Sequence, residues 1–273
     1  MLNRIAEMFI VTLWLVSMTW LAARDAVPRW FAEAPPEVAS RAWLADYGTE
    51  FQYAISDHNG LRCGSCWSIY QVNDQGMVQR DLLVLENLSF AIKYLAVESQ
   101  LTFLDDTGLA TVDIEIRGVQ APIQLYGERQ GPKFGFELRI ARRSVHDFVL
   151  DASAAQTLCD LIKPFSPMQG LEVGRSWKVQ VIDPFSLLQG NLRAKLKPVV
   201  VRVTGRETIQ IEGRRHDCLV VEAQGARAWV DSAGRVLRQV VDVPGIGKLE
   251  IHAETFQEDK YNAMLRRIRS EWR

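Results

Sequence analysis

The sequence predicts a mainly β protein: a curved antiparallel sheet, half-barrel or barrel-like, with one covering helix and a single N-terminal transmembrane helix before it. Three observations lead there. From Val199 to Phe256 the chain reads as strand after strand, with segments at Val199–Arg206, Thr208–Glu212, Asp217–Gly225, Ala226–Val230, Arg235–Val241 and Lys248–Phe256. The last of these alternates strictly, Leu249, Ile251, Ala253 and Thr255 against Lys248, Glu250, His252 and Glu254, which is the period of a strand with one dry and one wet face. Only one soluble stretch, Ala152–Ile162, carries a convincing helical pattern, with Asp151 or Ser153 to cap it and Pro164 to stop it. One helix cannot shield roughly ten half-apolar strands, because each Å² of apolar surface left in water costs about 25 cal/mol. Such a sheet must curl on itself, pack on a second sheet or enclose an apolar ligand.

Residues 1–26 are the expected signal anchor. The apolar run Met8–Ala23 spans only roughly 24 Å as a helix, and Ile5, Ala6 and the snorkelling Arg4 and Arg24 extend it to bilayer width. A cleaved signal peptide is disfavoured by Leu21, which stands where a small residue belongs before a cut after Ala23. Counting Arg24, Arg29 and Arg41 against Arg4 favours keeping the downstream domain inside. Pro28, Pro35 and Pro36 make 27–41 a stiff spacer, and the antiparallel β domain covers 42–258.

Within that domain Glu50–Ser56 and Leu61–Val72 form a hairpin across Asn59-Gly60, a pair that tolerates positive φ. Met77–Leu88 follows the Asn73-Asp74-Gln75-Gly76 turn, and its Leu82-Leu83-Val84-Leu85 run predicts a strand wetted on neither side. Leu95–Leu104 and Leu109–Arg117 pair across Asp105–Gly108, and Phe134, Phe136, Leu138 and Ile140 alternate in a further strand. Asp231 and Gly234 close a type I turn before Arg235. Residues 259–273, with Lys260, Arg266, Arg267, Arg269 and Arg273, form a basic C-terminal helix or tail, read as a solvated end.

A formal net charge of -1, with Lys and Arg dispersed, gives no reason to expect nucleic acid. The four cysteines allow two bridges in an oxidising compartment. Cys63-Gly64-Ser65-Cys66-Trp67 matches the local signature of papain-like proteases, but Gly60 holds the position of the oxyanion glutamine and His216 sits in a strand-joining turn. Cys63 and Cys66 are read as a disulfide or redox pair, or as small residues at a strand bulge; a zinc site with His216 and Cys218 is poorly spaced. Glu207 and Asp231 read as turn and strand-end residues, and no cofactor motif is present.

Val173-Gly174-Arg175-Ser176-Trp177, Asp183-Pro184-Phe185-Ser186, Val203-Thr204-Gly205-Arg206-Glu207 and Trp229–Leu237 together resemble a group of uncharacterised bacterial membrane-anchored β proteins. Those are similar to DUF-type extracytoplasmic half-barrels distantly compared with LolA-like lipoprotein carriers. The resemblance implies an exported, periplasmic domain serving the cell envelope, with a helix near the mouth of its sheet. The function expected is non-enzymatic: binding an apolar or lipid-like ligand, or docking on a membrane transporter complex. Phe134, Phe136, Leu138, Trp177, Trp229 and Leu249 are the expected ligand-lining residues. The alternatives are a thiol-dependent enzyme using Cys66 and an interaction module with a solid core.

Overall fold

The structure, a computed structural model, describes residues 33, 36, 40–86, 94–105, 108–118, 121–152, 167–181, 197–243 and 247–271. The anchor (1–26), most of the spacer, all but the first residue of the helix expected over Ala152–Ile162, Cys159 and the Asp183–Ser186 motif lie outside those residues.

The chain opens with α1 (Arg41–Tyr47) and then β1 (Glu50–Ser56), β2 (Arg62–Asn73), β3 (Gly76–Glu86) and β4 (Tyr94–Leu104). β5 (Gly108–Arg117), β6 (Ile123–Gln130), β7 (Lys133–Ile140) and β8 (Arg143–Asp151) continue the meander. A second run holds β9 (Ser176–Val181), β10 (Lys197–Ile211), β11 (Arg214–Ala223), β12 (Ala226–Val230), β13 (Val236–Val243) and β14 (Gly247–Glu254), followed by α2 (Glu258–Glu271). All fourteen strands form one antiparallel sheet in the order β8-β7-β6-β5-β4-β3-β2-β1-β14-β13-β12-β11-β10-β9. The β1·β14 ladder, with Tyr53 opposite Ala253 and Ile55 opposite Ile251, joins the two meanders. Among the described residues no ladder joins β8 to β9, so the sheet is not closed. Glu33 meets the outer side of β9, its N–H donating to the Ser176 carbonyl at 2.8 Å and its carboxylate lying 3.3 Å from Arg175 Nε.

Local chemistry sets most of these elements. The β1–β2 connection turns where expected: Gly60 has φ +77°, and Asp57 Oδ1 accepts from the N–H groups of Asn59 and Leu61. Gly234, at φ +87°, closes the β12–β13 turn, where an added Cβ would lie 2.6 Å from the Met168 carbonyl oxygen. Two expected segments prove to be one. Val199–Arg206 and all but the last residue of Thr208–Glu212 belong to the single long strand β10, which absorbs an irregularity between Val203 and Gly205 without turning. Glu207 is therefore a mid-strand residue, and His216 lies within β11 opposite Ile209.

The helices identify the concave and convex faces. Arg41, at the start of α1, donates to the Gly76 carbonyl at 3.2 Å and lies 2.7 Å from Asp105, at the β2–β3 and β4–β5 turns. Two residues later, Trp43 Nε1–H donates to the Ala233 carbonyl, in the β12–β13 turn, at 2.5 Å. In a flat sheet β4 and β12 would be about 29 Å apart, six inter-strand steps of roughly 4.8 Å. Two side chains so close in sequence can reach both turns only if the sheet curls, with α1 inside the curl. Its Trp43 and Leu44 are buried against Tyr70 and Met77.

The other face carries α2. Tyr261, Met264, Leu265 and Ile268 follow one helical stripe and pack on Trp67, Leu82, Val84 and Ala96; Ile268 is 0 % exposed. The C-terminal helix is thus a docked element and not a solvated end. Its N-terminal approach is fixed by Gln52, buried on the same face, whose Oε1 accepts from Trp67 Nε1 (3.0 Å) and Gln257 N (2.9 Å). β3 is apolar on both faces as its sequence predicts, with Leu82 and Val84 beneath α2 and Leu83 and Leu85 on the concave face, where Leu85 is buried and Leu83 half-buried.

Candidate functional site

The concave face is the candidate site. Its apolar lining falls into three groups. Leu101, Leu109, Val112, Ile114, Phe134 and Phe136 occupy the β4–β7 region, and Tyr53, Ile55, Cys66, Leu85, Leu249 and Ile251 the middle. Trp177, Val179, Val201, Val203, Val221, Ala228, Val230 and Val236 line the β9–β13 side. Between these buried groups Leu83, Leu95, Val97, Val241 and Val243 are only half-buried, so part of the greasy lining stays accessible. A polar patch interrupts it. The register stacks Ser68, Asp81 and Ser99 across three neighbouring strands. The Asp81 carboxylate accepts from Ser68 Oγ, from Ser99 Oγ at 2.9 Å and from Gln79 Nε2 at 2.8 Å. Burial, with Cys66 as the next contributor, holds the Tyr53 hydroxyl far above its ordinary range, so it stays uncharged on this floor.

At the end of the curl where α1 sits, a cavity of about 640 Å³ opens among β10, β11 and the β12–β13 turn. Arg206, Arg215, Arg235, Asp217 and Asp231 line it together with the apolar Leu171 and Leu219. Asp231 is nearly buried and fully occupied: Oδ1 accepts from Ala233 N and Arg235 N, both at 2.9 Å, and Oδ2 accepts from Arg235 Nε at 2.8 Å. Asp217 accepts from Thr208 Oγ1 at 2.6 Å. A second groove, about 500 Å³, runs beside α2 on the convex face, between Arg80, Glu98, Asp113, Tyr261 and Arg269. With Asp81 and Glu115 also in its lining, the groove carries four carboxylates against two guanidiniums and is net acidic.

The residues expected to line a ligand site are not gathered in one place. Phe134 and Phe136, ring centroids 4.9 Å apart, share one apolar group, with Leu138 buried next along β7. Trp177 and Leu249 belong to two other groups on the same face. Trp229 is displaced from the expected set. It faces the convex side with Cys218, Val220 and Leu237, since Ala228 and Val230 on either side of it take the concave positions. Its ring lies between the guanidiniums of Arg227 and Arg238, at 4.9 and 4.8 Å, and its Nε1–H donates to Glu207 at 2.7 Å.

The cysteine readings are corrected in part. The register shift opposite Ile55 and Ser56 makes Cys63 an extra residue, and this bulge brings Cys63 and Cys66 to the same apolar group. They are nevertheless not bonded; Cys63, Cys66 and Cys218 are all free thiols. Gly64 between them is required by close approach, since a Cβ there would lie 2.4 Å from the Val84 carbonyl oxygen. Burial, then the Asp81 charge, pushes the Cys66 thiol well above its ordinary range, the opposite of what a nucleophile at neutral pH needs. Burial also pushes Cys218 up to about 11, helped by Asp231 and Asp217. His216 and Cys218 stand on β11, five places along the sheet order from the β2 cysteines, and Cys218 faces the convex side while Cys63 and Cys66 face the concave one; no three His, Cys, Asp or Glu side chains among the described residues form a metal-holding group.

Asp81 and the mouth arginines escaped the sequence reading. Gln79 and Asp81 at alternate positions before an apolar run were the available hint, because they share one face of the strand with Leu83. Arg206 and Arg215 carry no such local sign.

No known protein family and no curated protein matches the sequence. The fold is similar to a solved structure described as a β-barrel-like protein of domain of unknown function DUF1849 from Brucella abortus. The TM-score is 0.42 at 9 % identity, over 76 % of this chain and 97 % of that one. A neighbour of DUF-type, β-barrel-like description thus exists, whereas the likeness to LolA-like lipoprotein carriers and the membrane anchor rest on the sequence alone.

Proposed function

We propose that this chain is a non-enzymatic binding domain which holds an apolar or lipid-like ligand on its concave face, tethered outside the cytoplasm by residues 1–26. The observation that supports the reading is the half-buried apolar lining around Leu83, Leu95, Val97, Val241 and Val243 inside a curl that is not closed. A sheet whose side chains completely filled its own interior would leave no such surface. Among the described residues no ladder joins the β8 edge to the β9 edge, where only Glu33 is bonded, and the gap between them gives a long ligand a lateral way in. The thiol-enzyme alternative needs Cys66, and the burial that pushes this thiol well above its ordinary range weighs against it.

Titration of the full chain in neutral maltoside with the uncharged apolar dye N-phenylnaphthylamine tests this. Binding that saturates, and that weakens about fivefold or more in Leu83→Arg, is the expected result. A wild-type chain that binds no dye, or a Leu83→Arg variant that binds it equally well, would refute the reading.

A further inference from the structure

We infer that the cavity beside α1 binds the anionic head of an amphiphile, a phosphate or comparable group, whose chain continues onto the concave apolar face. This rests on the apolar-ligand reading above and names the ligand class. Three guanidiniums, those of Arg206, Arg215 and Arg235, line the cavity against two carboxylates, Asp217 and Asp231. Both carboxylates are already engaged, Asp231 by Arg235 and the amides of its own turn, Asp217 by Thr208. Arg235 is thereby neutralised, whereas Arg206 and Arg215 are exposed and meet no carboxylate among the described residues. Uncommitted guanidiniums at one cavity are suited to the forked recognition of a phosphate.

The cavity also joins charge to grease. The ladder places Arg206 opposite Leu219, so the two share the concave face. Leu219 and Leu171 line the cavity and also pack on the apolar group of Trp177, Val201 and Val203. A ligand seated on the arginines therefore has an apolar path leading away from them. A volume of about 640 Å³ takes a phosphate head with part of its glycerol but not a whole lipid, so the chain must leave along that path.

A lipid head and free phosphate share this chemistry, and the experiment separates them. The full chain, released from maltoside micelles into a native mass spectrometer, is offered equal amounts of phosphatidylglycerol and phosphatidylcholine of the same chain length. In parallel, inorganic phosphate is titrated calorimetrically. The expected result is preferential phosphatidylglycerol adducts, with the preference falling about tenfold in Arg206→Gln/Arg215→Gln and largely kept in Arg206→Lys/Arg215→Lys. Unchanged melting temperatures of the variants confirm that they fold, since both side chains are exposed. An undiminished preference in the glutamine variant overturns the head-group assignment while leaving N-phenylnaphthylamine binding, and with it the broader reading, intact. Phosphate binding that needs the two arginines, in a chain that takes up neither lipid nor dye, would make the cavity a free-anion site and overturn both.

Discussion

Trp43 is the residue through which the curl of the sheet is most directly tested. It is 6 % exposed, its ring stacks on Phe51 at 5.7 Å, and its Nε1–H reaches Ala233 across the concavity. Trp43→Phe keeps most of the ring contact and deletes the donor. A hydrogen bond of this kind contributes about 1 kcal/mol net, which for a domain of this size is a fall of about 2–4 °C in Tm. Trp43→Ala removes the ring as well, and a buried aromatic cut to alanine costs about 3–5 kcal/mol; the corresponding fall is roughly 6–20 °C. Asp46→Ala, on the exposed side of the same helix, should stay within about 0.5 kcal/mol. Urea and thermal unfolding of the full chain, followed by far-UV circular dichroism, measures all three. If Trp43→Ala lies within about 1 kcal/mol of wild type, α1 is not holding the two turn systems together, and the geometric case for the curl fails.

On the convex face, Ile268→Ala should destabilise by about 2–4 kcal/mol, because the side chain is completely buried against Trp67, Leu82 and Val84; chemical denaturation showing less than about 1 kcal/mol would mean α2 docks only loosely. In a Cys159→Ser background, native alkylation at pH 8 should mark half-buried Cys63 well before Cys66 and Cys218, and equal rates at all three would contradict the burial described. Because folding raises the thiol pKa of Cys218 from 9.0 to about 11, the unfolded chain releases this proton first; the associated stability is complete below pH 9 and is lost as pH rises through about 11. Cys218→Ala should accordingly flatten the alkaline decline seen in unfolding midpoints between pH 8 and 11, and an unchanged slope would count against the shift.

Where the determinants are local, the sequence announces them. Asn59-Gly60 and Asp231–Gly234 each contain the residue types their backbone angles require, so the hairpins are readable without knowing the rest of the fold. The β3 run Leu82–Leu85 likewise declares a strand apolar on both sides. Tyr261, Met264, Leu265 and Ile268 were equally available at helical spacing, but attention to the arginines between them hides the apolar stripe. Non-local pairing is different. Nothing near residue 53 says that it will lie beside residue 253, and without the β1·β14 ladder the two meanders are not joined into one sheet. Trp229 shows how far such ignorance reaches: alternation alone cannot say which of two faces is concave. The mouth needs still more, namely which turns share an end of the curl, and so Arg206, Arg215 and Arg235 could not be grouped from spacing.

The features that shape the fold and those that form the mouth meet in one turn. Asp231 folds the β12–β13 connection by accepting from two of its amides, and the same carboxylate fixes the Arg235 guanidinium at the cavity wall. The next residues of that turn present the Ala233 carbonyl to Trp43 and the Gly234 carbonyl to Met168 N, at 2.8 Å. Helix α1, by gripping Ala233, therefore sets where Arg235 stands relative to Arg206 and Arg215 on the facing strands. Arg235 in turn lies 5.9 Å from the Tyr47 ring at the far end of α1, so the helix touches the turn at two points rather than one. A rigid grip of this kind suits a binding surface more than a moving part. It keeps the cations spaced before any ligand arrives, and pre-set donors lose less freedom on binding than mobile ones.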